Sequence, residues 1–108
     1  MVSECDRLVK LSLPAARIAV AKFLDSRHSM TEVEIARGLG VTQAAVSKYI
    51  NKKHSAETNH IIRMIKKAGV DKRIGSMVVS GAGMAEINRQ IDISVSMIAE
   101  AYQYAGRQ

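Results

Sequence analysis

Residues 42–53 read TQAAVSKYINKK, and four of their side chains have the functional groups that read the edges of base pairs. Gln43 carries an amide that can pair bidentately with adenine, and Ala44 is small enough to meet a thymine methyl. Ser47 can donate or accept. Lys48 can take the acceptors of guanine or a phosphate. Asn51, Lys52, Lys53 and His54 follow directly, a group suited to a phosphate backbone. Thr31 and Thr42 stand where helices are expected to begin, so their hydroxyls and the free backbone N–H groups beside them can hold phosphates. Each of these residues also has a plainer role open to it: the threonines as simple caps, the polar side chains as solvated helix surface.

The charge distribution favours the anionic partner. Sixteen Lys and Arg face ten Asp and Glu, a net charge of +6. Residues 1–47 hold six basic and five acidic groups, residues 48–73 eight and two, and residues 74–108 two and three. The middle segment therefore carries an excess equal to the whole net charge, in Lys48, Lys52, Lys53, Arg63, Lys66, Lys67, Lys72 and Arg73. A field so localised steers a protein toward a polyanion. Arg63, Lys66 and Lys67 lie beyond the reading segment and serve equally well as ordinary surface.

Helical spacing must position these groups, because no stretch alternates apolar and polar for the length of a strand. A first helix is expected from Pro14, whose fixed φ suits a first turn, to about Ser26, with Ile18, Ala21, Phe23 and Leu24 turned inward. Thr31 and Glu34 have the spacing of a capping box and open a second helix that stops at Gly40. Thr42 caps a third, over residues 43 to about 52. At 100° per residue, its inward face is Val46, Tyr49 and Ile50, leaving Ala44, Ser47, Lys48 and Asn51 outward and Gln43 at the tip. A fourth, over about 56–68, buries Ile61, Ile62 and Ile65 and ends at Gly69. Asp71 can cap a short helix through Val79 before Gly81 and Gly83 break the chain. From Met84 to about Ala105, one long helix repeats Ile87, Ile91, Val95, Ile98 and Tyr102 at helical spacing. Its apolar surface, including Ile93 and Met97 off that stripe, exceeds what a four-helix core needs, and Ile87, Ile91, Val95, Ile98 and Tyr102 are expected to form a dimer interface.

The segment TEVEIARGLGVTQAAVSKYI, residues 31–50, has Ala36 small where two helices must approach and Ile35, Leu39, Val41 and Val46 spaced to wedge them apart at a fixed angle. It resembles the helix-turn-helix of phage-repressor-type transcriptional regulators, whose second helix enters the major groove. Together with LPAARIAVAKFL, the run GVTQAAVSKYI is similar to the N-terminal half of small archaeal predicted regulators, some of which carry a fused thiamine-phosphate-synthase-like sensor domain. The resemblance covers residues 13–54. It implies duplex DNA as partner. The chain has neither room for that sensor domain nor the C-terminal cysteines of some such relatives, so ligand, redox or metal control of those kinds is not implied.

Other chemistries lack their residues. His54 and His60 are six apart and His28 is remote, a spacing unlike a helical ligand pair, so no metal is expected. The run GSMVVSGAGM lacks the end of a phosphate loop and reads as a hinge. No Ser, His and acid constellation supports an enzyme, and no cofactor is implied. The single Cys5 forms no disulfide framework, and no apolar window approaches the roughly 18 residues of a membrane span, which together point to the cytoplasm. A composition 47% hydrophobic and 24% charged is ordinary for a folded chain and excludes disorder.

The expectation is an all-α protein of four or five helices, with a helix-turn-helix DNA-binding domain over 1–70 and a C-terminal helical dimerisation segment over 71–108. Its function would be sequence-specific transcriptional regulation, repression foremost, by a homodimer on an inverted repeat. An antitoxin-like or assembly factor, using the same scaffold to bind protein, is the alternative.

Overall fold

The computed structural model describes residues 4–106, and side chains over 10–101. The six helices among the described residues are α1 (Glu4–His28), α2 (Glu32–Leu39), α3 (Gln43–Asn51), α4 (Ala56–Lys67), α5 (Val70–Val79) and α6 (Met84–Gly106), and no strand occurs among them. None of these helices is long and apolar enough to cross a membrane.

Small residues on α1 set the architecture. Ala15, Ala16, Ala19 and Ala21 are completely buried, as are Val20 and Leu24. A helix lined by methyl groups on several sides lets neighbours approach it from several directions, and α1 packs against each of the other five. Onto it α3 brings Val46, α4 brings Ile61 and Ile65, α5 brings Ile74, and α6 brings Ile87, Ile91 and Val95, all in one continuous core. Residues on both sides of position 70 share that core, so the division into 1–70 and 71–108 does not coincide with a break in packing.

Three expectations about the elements change. The first helix begins at Glu4, about three turns before Pro14, which lies inside it. Proline removes the N–H that would bond the Lys10 carbonyl, but Pro14 and Lys10 are both exposed, so that carbonyl is on the side solvent can reach. Burial of the stripe from Leu11 onward carries the helix through the proline. The described residues hold six helices and not four or five, because residues 70–79 form a full helix of their own. Finally, Asp71 does not cap α5. Gly69, at φ 75°, reverses the chain immediately after α4 and takes the cap position, which puts Asp71 inside the first turn. There its carboxylate is buried and accepts from the Lys72 N–H at 2.9 Å, at the end of the helix where a negative charge is favoured.

The long helix corrects the expected interface. Ile87, Ile91 and Val95 are each 1% exposed and Ile98 is 9% exposed, because they close this chain's own core. They have no surface left for a second copy. The Tyr102 side chain lies outside the described residues. Among the described residues, the large apolar side chains α6 does present to solvent are Met84, Ile93 and Met97.

Candidate nucleic-acid interface

Two reciprocal hydrogen bonds fix the start of α2. The Glu34 N–H donates to Thr31 Oγ1 at 3.2 Å, and the Thr31 N–H donates to Glu34 Oε1 at 3.0 Å. Foremost the Thr31 N–H, and after it the Thr31 hydroxyl beside the carboxylate, hold the Glu34 carboxyl below its ordinary value of 4.5, with the Arg37 charge a further contribution. At the other end Gly40 takes the left-handed conformation, φ 70°, and the Val41 N–H donates back to the Ala36 carbonyl at 3.0 Å. That closure turns the chain within three residues. Thr42 then caps α3, its Oγ1 accepting from the Ala45 N–H at 3.1 Å.

The rotation of α3 about its axis is set by Val46, which is fully buried, with Tyr49 and Ile50 half-buried against the same core. The opposite face carries Gln43, Ala44, Lys48 and Asn51, all exposed, with Ser47 half-buried between them. All four residues expected to read bases are thus brought onto one outward surface. Asn51 joins them: its Nδ2 donates to Ser47 Oγ at 3.3 Å, so Gln43, Ser47 and Asn51 form a line at successive turns. Asn51, expected to grip phosphate, therefore stands in register with the reading residues.

The chain after α3 is tied rather than loose. The His54 Nε2 donates to the Tyr49 carbonyl at 3.1 Å, and the Asn59 amide donates to the His54 carbonyl at 3.2 Å. A carbonyl can only accept, so this contact puts the proton of a neutral His54 on Nε2. Lys52 and Lys53, both exposed, project from this fixed turn. Sequence reasoning missed Asn59 and also Ser55, whose hydroxyl accepts from the Thr58 N–H at 3.1 Å and opens α4. The signal for Ser55 was present in its position just ahead of the Ile61, Ile62 and Ile65 stripe. Nothing local marks Asn59, since its partner is a main-chain oxygen five residues back.

Arg63, Lys66 and Lys67 are exposed on α4. Among the described residues, no group of three or more His, Cys, Asp or Glu side chains is arranged to hold a metal ion. The outward face of α3 with its flanking cations is a surface of amide, hydroxyl and ammonium groups, equipped for hydrogen bonding and for neutralising an anion. Comparison of the chain with family models, curated proteins and solved structures finds no match.

Proposed function

We propose that this protein is a sequence-specific duplex-DNA-binding transcriptional regulator of the helix-turn-helix type. It acts as a homodimer, and represses in the cytoplasm by occupying its site rather than by catalysis. The observation that carries this reading is the orientation of α3: buried Val46 fixes its rotation, and that rotation turns Gln43, Ala44, Ser47 and Lys48 outward together. A helix presenting amide, methyl, hydroxyl and ammonium groups in adjacent rows has the inventory that distinguishes base pairs in a major groove. Thr31 and Thr42 lie at the starts of α2 and α3, and Asn51, Lys52 and Lys53 at the end of α3, positions from which phosphates on either side of that groove can be gripped.

The test is selection of bound duplexes from a random library, followed by affinity of the winner and of scrambled DNA across a salt series. The proposal expects an enriched inverted repeat preferred over scrambled sequence by about a thousandfold or more. Binding with no sequence preference that disappears with salt would reduce the cations to a general electrostatic footprint. Recovery of a second small protein on the α3 face instead of DNA would turn the reading toward an antitoxin-like or assembly role.

A further inference from the structure

The outer face of α6 carries one row separate from the stripe in the core. Glu86, Gln90, Ile93, Met97 and Glu100 follow one another along it at spacings of four, three, four and three, apolar at the centre and polar at both ends. Ile93 is 42% exposed and Met97 64% exposed at its centre. We infer that this row pairs antiparallel with the same row of a second copy of this chain, the Ile93 of each lying against the Met97 of the other. The two-fold axis then passes at the level of Val95.

Charge selects both the partner and the direction. Residues 74–108 hold two basic and three acidic groups, and Arg73 of α5 adds one guanidinium to this side, its Nη1 donating to Gln90 Oε1 at 3.0 Å, so charge on this side is nearly balanced and does not repel a second copy as the cations of α3 and α4 do. In a parallel pair Arg89 would meet Arg89 and Glu100 would meet Glu100. In the antiparallel pair Gln90 faces Glu100, and Arg89 flanks that Glu100. Arg89 holds Glu86 of its own chain through Nε and Nη2, at 2.9 and 2.7 Å, which leaves the Nη1 side of the guanidinium chemically able to take a second carboxylate.

A length argument adds to this, and it rests on the DNA-binding reading. The Gly40 turn lies against the Met84 side chain, at the start of α6. With the axis at residue 95 and a rise of 1.5 Å per residue, the two copies of Met84 stand about 33 Å apart along the paired helices. Successive major grooves on one side of a duplex recur every ~34 Å.

The experiment uses the full chain without DNA, so pairing can fail while sequence-specific binding stands, and the reverse. Sedimentation equilibrium over a concentration series is expected to give a reversible monomer–dimer equilibrium, and Met97→Glu to weaken it at least about tenfold. Arg89→Glu should weaken it also, and adding Glu100→Arg should restore it. In a Cys5→Ser background, Ser96→Cys should form a disulfide-linked dimer on mild oxidation, because residue 96 meets its own counterpart beside the axis. Glu86→Cys should not, since its two copies lie about 27 Å apart. Arg89, Ser96, Met97 and Glu100 are exposed and Glu86 is half-buried, and circular dichroism checks that each variant folds. A monomer at every concentration overturns the proposal and leaves the row to some other protein. Linking through Glu86→Cys but not Ser96→Cys overturns it in favour of a parallel pair.

Discussion

Gly40 and Met84 lie so close that a Cβ built on residue 40 would overlap the Met84 sulfur. Gly38 repeats the relationship two residues earlier, where a Cβ would come within 2.7 Å of Val78 Cγ1. The turn between α2 and α3 is therefore seated on the α5–α6 junction, and the position of α3 depends on residues some forty positions beyond that turn. Replacing Gly40 by Ala should cost about 1–2 kcal/mol from its positive φ alone. The clash with Met84 adds to that. In the Gly40→Ala/Met84→Ala pair the clash is relieved and the φ cost remains, so urea denaturation of the four proteins should give a double mutant less destabilised than the sum of the singles.

Thr31→Ala removes one side of the reciprocal cap and is expected to cost about 1 kcal/mol at neutral pH. Glu34 contributes the other side, and its pKa is depressed on folding. Its contribution is therefore fully present above the ordinary value of 4.5 and lost as pH falls through the lower folded value. Stability measured at pH 7 and pH 3 should show Glu34→Ala distinctly destabilising at the first and much less so at the second. An equal effect at both would mean that the carboxylate's charge has no part in the cap.

Because α5 and α6 complete the core around α1, a fragment ending at residue 70 should not fold, although it contains every residue of the candidate interface. Proton NMR of that fragment is expected to show the narrow dispersion of an unfolded chain. Ile74→Ala and Ile91→Ala, at sites 0% and 1% exposed, should each cost about 2–5 kcal/mol in the full chain.

Lys48→Ala and the pair Lys52→Ala/Lys53→Ala should separate reading from gripping. If Lys48 meets a base, its loss lowers affinity for the selected duplex by about 1–3 kcal/mol and leaves scrambled DNA nearly unaffected. Loss of Lys52 and Lys53 should weaken both duplexes alike, and reduce the slope of log affinity against log salt by about 2 per protomer. Fluorescence anisotropy across salt concentrations reads both quantities.

The elements around the interface were legible because their signals are local. Thr31 and Glu34 are three residues apart, Gly40 and Gly69 each mark a left-handed turn, and the rotation of α3 follows from Val46, Tyr49 and Ile50. The start of α1 was not legible, since whether Pro14 ends a helix depends on which side of it meets solvent, a property of the packed molecule. The stripe Ile87, Ile91, Val95 and Ile98 announced that α6 has an apolar partner. Periodicity does not say whether that partner belongs to the same chain, and here it is α1. Asp71 read as a cap because aspartate commonly is one; the glycine two positions earlier had already taken the role.

The packing of α1 against α6 brings together segments some sixty to eighty residues apart in sequence. During synthesis α1 emerges from the ribosome long before the helix that covers it, so its alanine-lined flanks wait uncovered while α2 through α5 are made. Docking the last helix onto the first closes the longest loop in the molecule, at a cost in chain entropy that the shorter contacts do not carry. The nascent protein should therefore reach its final protease resistance late and in one step, when α6 is free to dock, with α3 gaining its fixed orientation at that same moment.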